Sequence, residues 1–445
     1  MTFVPVYILI LGFTIVVDYF AGILIEEAEG RRKKIYLLCS LIANIGVLAI
    51  FKYYNFLNDN LSFLLHALNL SNPIPYFSIL LPIGLSFHTF QAMSYTIELY
   101  RGHQKAERNF GIYALYVMFY PQLVAGPIER PQNLLHQFRE KFDFDYDRVT
   151  SGIRLMLWGL FKKVVIADRL AIVVDTVYSA PSHYNSLSLL ISTFFFSFQI
   201  FCDFSGYSDM AIGAARIMGF KLMTNFNAPY QSKSVSEFWK RWHISLSTWF
   251  KDYLYISLGG NQVTIPRWYL NLFIVFLVSG VWHGAKWTFV IWGALHGFYL
   301  VFGLITRKFR ERESKRLHLN RIPMLASLLT FMLVAFAWIF FRAKDVNTAI
   351  YICTHLFTGI PALVQKLRMH QSVFEYMGLV ANDLVLSVLL IVFLEVVHFL
   401  KLKRNLIPAI ASKPVYVRWA IYYLLVFSII YLGVTESRQF IYFQF

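Results

Sequence analysis

The sequence has little charge and little cysteine. Of its 445 residues only 15% are charged, whereas 57% are hydrophobic and 18% aromatic; soluble domains carry about 25% charged residues. A soluble fold would have to hide most of this chain in its core, so the composition predicts a polytopic, all-α membrane protein. The three cysteines lie in apolar segments at unrelated spacings, which argues against a disulfide framework and against a metal site.

Several familiar active-site motifs are missing as well. The chain has no GxxxxGK[ST], HExxH, CxxC or GxSxG pattern, which argues against a nucleotide-driven pump, a zinc protease and a serine hydrolase of the usual kinds. We expect no bound cofactor and no metal. The net charge of +16 does not predict nucleic-acid binding, because the basic residues form short clusters between apolar runs, as they do in the cytoplasmic loops of membrane proteins.

Apolar runs near the length of a membrane span recur along the whole chain. A shorter run at 110–125 is followed by Gly126 and Pro127 and has the character of a re-entrant segment. Together these runs predict about nine to eleven membrane segments in contact with lipid. The ten predicted spans are 3–25, 35–57, 76–100, 152–178, 187–218, 268–282, 287–305, 322–341, 378–400 and 415–434.

The charges of the loops predict which side of the membrane each loop faces. The loop 58–73 has no lysine or arginine and is expected outside, with both termini. Four residues of the loop 342–377 disagree with this scheme, since Arg342, Lys344, Lys366 and Arg368 would lie outside. The basic segments expected on the cytoplasmic side are 31–34, 101–108, 307–316 and 401–404.

Two stretches, 129–149 and 236–261, mix charges with large apolar side chains. The second is predicted to be an interfacial helix that ends near Gly259 and Gly260, with indole rings at headgroup depth and cations in water or on anionic lipid. The residues that give this pattern are Trp239, Trp242, Trp249 and Tyr253, interleaved with Lys240, Arg241 and Lys251.

His283, in the stretch SGVWHGAKWTF, is the strongest candidate for chemistry. It follows a spanning run, where an ionisable group is costly unless it is paired or hydrated. A desolvated imidazole stays neutral at pH 7, which is the form that a general base needs. Trp282 and Gly284 bracket it, and the missing side chain of Gly284 would let a substrate hydroxyl approach. The alternative is a histidine that hydrogen-bonds a neighbouring helix.

Two further histidines have weaker claims to a catalytic role. His243 lies on the amphipathic stretch and is either a polar residue of a membrane-surface helix or a catalytic group. His296, in WGALHGF, repeats the pattern around His283. Its place in the middle of a predicted span favours helix packing over tunnel lining.

Carboxylates inside apolar runs complete the set of candidates. The stretch FCDFSGYSDMAIG contains Asp203, Ser205, Tyr207 and Asp209. Its carboxylates must pair, cap a helix break at Gly206 or line a hydrated cavity. In a second stretch, Glu129 and Arg130 follow a Pro/Gly kink and belong either to a salt-bridged turn or to a substrate site.

The motifs together resemble the membrane-bound O-acyltransferase family, and within it the membrane subunits that O-acetylate alginate and peptidoglycan. The resemblance runs over nearly the whole chain in a fixed order. It is carried by LLPIGLSFHTFQAMSYTIELYRG (80–102), FYPQLVAGPIERP, FDFSGYSDMAIG, NFNAPYQSKSVSEFWKRWHISLSTWFKDYLYISLGGN, SGVWHGAKWTFVIWGALHG and the terminal FIYFQF.

The resemblance implies a helical membrane fold with a central tunnel and an acyl donor that enters from the cytoplasm. The family's essential histidine matches His283, and its second characteristic histidine matches His243. Trp282 and Gly284 would then form the wall and the opening of the tunnel around His283. The donor would be acetyl-CoA or another acyl thioester. In the bacterial inner membrane the acetyl group would pass to a periplasmic SGNH-type acyltransferase and then to an exported glycan.

The residues themselves add an inference about the donor. Lys240, Arg241 and Lys251 at the cytoplasmic interface are expected to hold phosphates, while His243 orients the thioester or polarises its carbonyl. We expect one domain over 1–445, with N-terminal helices to 108, a catalytic core to 305 and C-terminal helices beyond.

Two other functions stay open at this point. Within the family, the alternative is a D-alanyl transferase that modifies teichoic acid from a carrier protein. From a different class, the alternative is a polysaccharide or lipid transporter, which would be expected to show inverted repeats.

Overall fold

The computed structural model describes residues 7–77, 84–318, 322–369, 373–403, 409–410, 412–436 and 438–441. Throughout these residues every regular element is helical, which confirms the predicted all-α class. The helices are α1 Tyr7–Glu27, α2 Gly30–Leu48, α3 Tyr54–Ala67, α4 Leu85–Arg101, α5 Phe110–Met118, α6 Pro131–Leu134, α7 Tyr146–Phe161, α8 Asp168–Ser179, α9 Ser186–Ile217, α10 Val235–Arg241, α11 Ile244–Phe250, α12 Ile265–His283, α13 Trp287–Ile305, α14 Arg307–Arg316, α15 Pro323–Arg342, α16 Val346–Thr358, α17 Ile360–Arg368, α18 Ala381–Lys403 and α19 Val415–Leu432.

Single helical turns join some of these helices. Three are π-helical, and three are 3₁₀ turns. The π-helical turns Ala49–Tyr53, Lys162–Ala167 and Lys251–Tyr255 follow α2, α7 and α11, and the 3₁₀ turns are Leu135–Arg139, Pro181–His183 and Pro229–Gln231.

Eight helical stretches in the described part of the chain are long and apolar enough to cross a membrane, or nine if the bent pair α16–α17 is one span. This agrees with the predicted polytopic architecture. The predicted span 152–178 instead comprises most of α7, the π-helical turn and most of α8. In the predicted span 76–100, residues 78–83 lie outside the described residues and α4 begins at Leu85.

The chain forms two compact units, one of residues 1–153 with 211–223 and one of residues 154–210 with 224–445. The predicted boundaries at 108 and 305 stay a prediction.

In the first unit, α1, α2 and α4 pack around a polar group. The Asp18 carboxylate accepts hydrogen bonds from Ser40 Oγ at 2.6 Å and Asn44 Nδ2 at 2.8 Å, so its polar atoms are satisfied without water.

Within the second unit, α12 and α13 form an antiparallel pair whose close approach depends on two glycines. A Cβ on Gly280 would lie 2.4 Å from Phe289 O and 3.0 Å from Gly293 Cα, and a Cβ on Gly293 would lie 2.4 Å from Phe276 O. Small residues let helix backbones approach in this way in membranes. Because Gly280 is three residues before His283, the contact also fixes the position of the end of α12.

Helix α9 is continuous from Ser186 to Ile217, so of the alternatives for its carboxylates the one that caps a helix break at Gly206 is wrong. Gly206 has a different role, because a Cβ there would lie 2.7 Å from Gly159 O on α7. The glycine allows α7 and α9 to approach closely, and the carboxylates of α9 therefore meet side chains that follow α7.

We predict that Gly293→Ala destabilises the α12–α13 pair. The added methyl group has no space, and overpacking of this kind costs about 1–3 kcal/mol. The apparent unfolding temperature in detergent should therefore fall, whereas Gly303→Ala on the same helix should leave it at or above the wild-type value, because the nearest atom to that Cβ is 3.7 Å away and alanine favours the helix. Equal unfolding temperatures for the two variants would contradict this account of the contact.

Candidate active site

His283 is the last residue of α12 and is buried, with 6% of its surface exposed. Its ring lies edge-on to three aromatic rings, with centroid distances of 4.9 Å to Trp282, 5.0 Å to Trp292 and 5.3 Å to Phe341. The predicted opening at Gly284 has another explanation, because a Cβ there would meet the Phe289 ring at 2.2 Å. The glycine thus admits a protein ring, and aromatic side chains form the wall around the imidazole.

His243 is fully buried between α10 and α11, where the predicted continuous interfacial helix is broken. Its backbone has φ +43°, a left-handed conformation that costs energy in any residue with a Cβ and often occurs at functional sites. Burial lowers the pKa of His243 to about 3, so the imidazole is neutral. Its Nδ1 lies 3.0 Å from Asn225 Oδ1, and its ring packs on Phe204 at 4.6 Å.

The indoles of this stretch were predicted at headgroup depth, which is wrong in this structure. Trp239, Trp242 and Trp249 are at most 8% exposed and pack inside the protein. Trp242 contacts Phe226 and Trp338 at centroid distances of 5.2 and 5.1 Å. A sequence pattern of rings and cations does not distinguish a lipid interface from a protein interior.

His296, on α13, is buried and accepts a hydrogen bond at Nδ1 from Trp239 Nε1 at 3.2 Å. That bond places the ring proton of the neutral imidazole on Nε2. The bond also joins α13 to α10, which agrees with the predicted packing role. Trp292 contacts both His296, at 4.9 Å, and His283, at 5.0 Å.

A continuous set of ring contacts connects the three histidines, and we call these rings the aromatic cluster. The connection between His283 and His243 has five steps, each with a centroid distance below 6.5 Å. It runs from His283 to Trp292, from Trp292 to Trp338 and Trp242, and from Trp242 through Phe226 to His243. The two histidines that the sequence singled out therefore belong to the same packed interior.

A cavity of about 1870 Å³ adjoins the cluster. Its described lining comes from α9 to α16 and is mostly apolar, and it includes Trp239, which binds His296, Ile244, which follows His243, and Ser279, one turn before His283. Six cations and one carboxylate also line it: Lys233, Lys240, Lys251, Arg307, Arg310, Lys315 and Glu311. The predicted passage through the whole protein stays a prediction.

Three cations, Lys240, Arg241 and Lys251, were expected near the donor. Lys240 and Lys251 line the cavity, whereas Arg241 is absent from the described lining and binds neighbouring residues instead. Arg241 forms an ion pair with Glu237 at 2.7 Å and donates to Asn227 O. Trp282, Asp203, Ser205, Tyr207 and Asp209 are likewise absent from the described lining. Their predicted contacts with substrate stay predictions.

The carboxylates of α9 are paired, as the cost of burial requires. Lys162 Nζ binds Asp209 Oδ2 at 2.8 Å and Ser205 Oγ at 2.9 Å. The next residue, Lys163, binds Asp203 at 2.7 Å and Asp168 at 2.8 Å. Ser205 and Asp209 are four residues apart on α9 and so face the same lysine.

Neither lysine was among the predicted site residues, although the sequence contains a signal for both. They stand together in the apolar run that contains FKKVVIA, and a buried ammonium group needs a carboxylate partner. They follow α7 in a π-helical turn, a feature common at functional sites. Asn225, by contrast, gave no signal, because nothing in NFNAP distinguishes a buried amide from a turn residue.

The segment 438–441 packs on the same part of α9. Ile441 N donates to Asp203 Oδ2 at 2.7 Å, and Phe440 lies 5.4 Å from Tyr207 and 6.1 Å from Phe204. Phe204 in turn packs on His243. Residues 442–445 of the FIYFQF motif lie outside the described residues.

Arg130 and Glu129 belong to the first unit. Arg130 Nη1 donates to Ile128 O at 3.3 Å, whereas Glu129 accepts from the backbone of Met223 and from Asn133 Nδ2. These bonds favour the structural turn over substrate binding for Glu129. Arg130 has further contacts, and its predicted role in binding stays a prediction.

We predict that Lys163→Met strongly destabilises the protein. Loss of one partner leaves Asp203 and Asp168 as uncompensated buried charges, at a cost of about 3–5 kcal/mol. The unfolding temperature in detergent should fall well below that of Lys308→Met, which removes an exposed lysine. Adding Asp203→Asn to Lys163→Met should recover part of the loss, and a double variant no more stable than the single one would contradict the pairing.

Comparisons with known proteins agree with this architecture. Residues 102–343 match the profile of the membrane-bound O-acyltransferase family. The chain is 38% identical to the probable alginate O-acetylase of Pseudomonas aeruginosa over 396 residues, which cover 88% of this chain and 73% of the relative. It is 36% identical to the peptidoglycan O-acetyltransferase of Helicobacter pylori over 375 residues, 78% of this chain and 69% of the relative.

A more distant relative acts in teichoic acid modification. The teichoic acid D-alanyltransferase of Bacillus subtilis is 29% identical over 289 residues, which are 62% of this chain and 73% of the relative. The matched profile covers more than half of the chain and contains His243, His283 and His296. The chain therefore belongs to the membrane-bound O-acyltransferase family, and it is a multi-pass membrane enzyme that carries out O-acyl transfer.

Proposed function

We propose that the enzyme moves an acetyl group from a cytoplasmic thioester to a hydroxyl group on the way to an exported polysaccharide. The observation that carries the proposal is the burial of His283 and His243 in one aromatic cluster beside a cavity with basic residues. Neutral imidazoles are the bases that a hydroxyl nucleophile needs, and the cations suit a phosphorylated donor. The names of the two relatives that O-acetylate glycans support acetate as the group.

In the proposed reaction, His283 acts as the base. The hydroxyl oxygen attacks the thioester carbonyl while the imidazole takes the hydroxyl proton. A C–O bond forms, the C–S bond breaks, and the imidazolium then returns its proton to the departing thiolate. Atoms and charge balance without a further reactant, and the residue is ready for another cycle.

The aromatic cluster has a chemical function in this proposal. A thioester is lost to hydrolysis wherever water reaches the base together with the acyl group. Trp282, Trp292 and Phe341 surround His283 with rings, which exclude water and strengthen the electrostatic interactions inside the site.

We assign the donor to the basic end of the cavity. Arg307 and Arg310 follow the end of α13, and Lys233 lies near the start of α15, where Ser327 Oγ donates to Gln231 O. By the positive-inside rule, the charged segment 307–316 supports a cytoplasmic position for this end. Lys240 and Lys251 belong to the same lining and would bind donor phosphates, while Arg241 is held by Glu237.

On the outer side, we propose an SGNH-type periplasmic acyltransferase as the partner that receives the acetyl group, in the inner membrane of a bacterium. The final acceptor would be an exported glycan of the kind named for the relatives, alginate or peptidoglycan. D-alanyl transfer to teichoic acid is the alternative within the family. Chemical analysis of the ester released from the polymer, acetate or D-alanine, separates the two.

We expect His283→Ala to lower acetyl transfer by about 10²–10⁴-fold, the usual contribution of a positioned general base. Ester-linked acetate on the extracted polysaccharide measures the effect at equal membrane abundance of the protein. His355→Ala, which removes an exposed histidine of α16, is the matched control. Wild-type acetylation by the His283→Ala protein would refute the catalytic assignment.

The donor site predicts a change in KM. Lys240→Gln together with Lys251→Gln should raise KM for acetyl-CoA several-fold and leave kcat nearly unchanged, because both side chains would bind the donor equally in the ground and transition states. Transfer from labelled acetyl-CoA into membrane vesicles gives both constants. Lys308→Gln, outside the described cavity lining, should keep the wild-type KM, and equal KM values for all three proteins would place the donor elsewhere.

A further inference from the structure

Asn225 is a buried polar residue to which the proposed mechanism gives no role. It lies between α9 and α10 with 1% of its surface exposed. Burial of an amide is costly unless its donors and its acceptor are bonded. Here each end of the amide has partners, and one of them is His243.

The orientation of the Asn225 amide follows from its partners. The backbone N–H of Ser245 lies 3.2 Å from the atom assigned as Oδ1, and Ser245 Oγ lies 2.9 Å from it. A backbone N–H can only donate, so the atom it faces must be the oxygen. On the other side, Nδ2 donates to Ser208 Oγ on α9 at 3.2 Å, which agrees with the same orientation.

This orientation decides where His243 carries its proton. His243 Nδ1 lies 3.0 Å from the same Asn225 oxygen, which accepts and cannot donate. The hydrogen must therefore be on Nδ1, and in the neutral ring Nε2 then holds the lone pair. The ring contact with Phe204, at 4.6 Å and an interplanar angle of 89°, restricts the orientation of the imidazole further.

Asn225 also holds the unusual backbone of His243. The N–H of Ile244 donates to Asn225 O at 2.9 Å, and the side-chain bonds reach His243 and Ser245 on both sides of Ile244. A left-handed conformation in a residue with a Cβ persists only where several contacts enforce it. Both the main chain and the side chain of Asn225 supply such contacts.

We infer that Asn225 is the positioning residue of His243: it holds the ring as the Nδ1–H tautomer, so that Nε2 is a proton acceptor. The inference rests on the proposed function, in which His243 lies in the same aromatic cluster as His283, and it decides between two roles for His243. A ring with its lone pair on Nε2 accepts a proton or a hydrogen bond there. It does not polarise a thioester carbonyl by donating from that atom.

The test uses a carboxylate in place of the amide. Asn225→Asp keeps an oxygen acceptor next to Nδ1 but adds a negative charge about 3 Å away, and an opposite charge at that distance favours the protonated imidazole. The pKa of His243 rises, the neutral base is lost at higher pH, and the acidic limb of the kcat/KM profile moves upward by about one unit or more. Asn227→Asp places the same change on an exposed residue nearby and should leave the profile in place.

The structure also identifies the other charged and titratable groups on the elements next to His243. A shift in the pKa of His243 can therefore be assigned to the substitution at Asn225. Asn225, Phe204 and Phe226 bring no charge to the imidazole. The groups on the neighbouring elements are Asp203 with Lys163, Asp209 with Lys162, Arg241 with Glu237, Lys240 at the cavity, Cys202 and Tyr207 on α9, and Arg438 with Asp175.

A second variant keeps the test decisive if the Asn225→Asp protein does not insert into the membrane. Ser208→Ala removes the acceptor of Nδ2 and leaves that end of the buried amide without this hydrogen bond, so the amide orients the His243 ring less precisely. We expect kcat to fall about tenfold with KM for acetyl-CoA unchanged. Ser192→Ala, which removes a buried hydroxyl of α9 that is bonded to Leu189 O and lies outside the described cavity lining, is the control for the loss of a hydroxyl.

The outcomes separate this inference from the function on which it rests. Wild-type turnover by His243→Ala would remove His243 from the mechanism and with it the positioning role of Asn225, whereas the proposed function is tested separately by His283→Ala. If His243→Ala is inactive but the profile of an active Asn225→Asp protein coincides with that of the wild type, only the positioning role is wrong. A wild-type kcat for Ser208→Ala would contradict it as well.

Discussion

Ion pairs between two consecutive lysines and the carboxylates of α9 position that helix, and with it the side chains that surround His243. Lys162 and Lys163 have to meet Asp209 and Asp203 because none of these groups can be buried alone. Since α9 is thereby fixed beside the π-helical turn after α7, two of its neighbouring side chains are fixed too. Phe204 packs on the His243 ring, and Ser208 holds the Asn225 amide.

A second constraint is the packing of aromatic rings without space for water. The cluster that joins His283 to His243 contains three tryptophans, and the glycines of α12 and α13 allow their helices to approach closely enough for the rings to interlock. Ion pairing and aromatic packing thus act on different sides of the same site. Charge pairing positions α9, and ring packing positions α12, α13 and α15.

The sequence predicted the helical class, most of the spans and the burial of His283, because these follow from hydrophobic length and from the cost of an ionisable group in lipid. It could not predict the break at His243, since a left-handed residue held by a distant asparagine leaves no periodic signal. The pattern at 236–261 predicted a lipid interface because burial against protein and burial against lipid select the same side chains. The partners of Asp203 and Asp209 could have been predicted, because Lys162 and Lys163 stand in an equally apolar run.

The contact between the segment 438–441 and α9 has a consequence for biosynthesis. Asp203 binds the backbone of Ile441, and Phe440 packs on Phe204, which packs on His243. Every helix of the site, from α7 to α15, leaves the ribosome before this segment does. The surroundings of His243 are therefore incomplete while the chain is being inserted into the membrane, and a nascent chain acquires its finished site only after translation has passed residue 441.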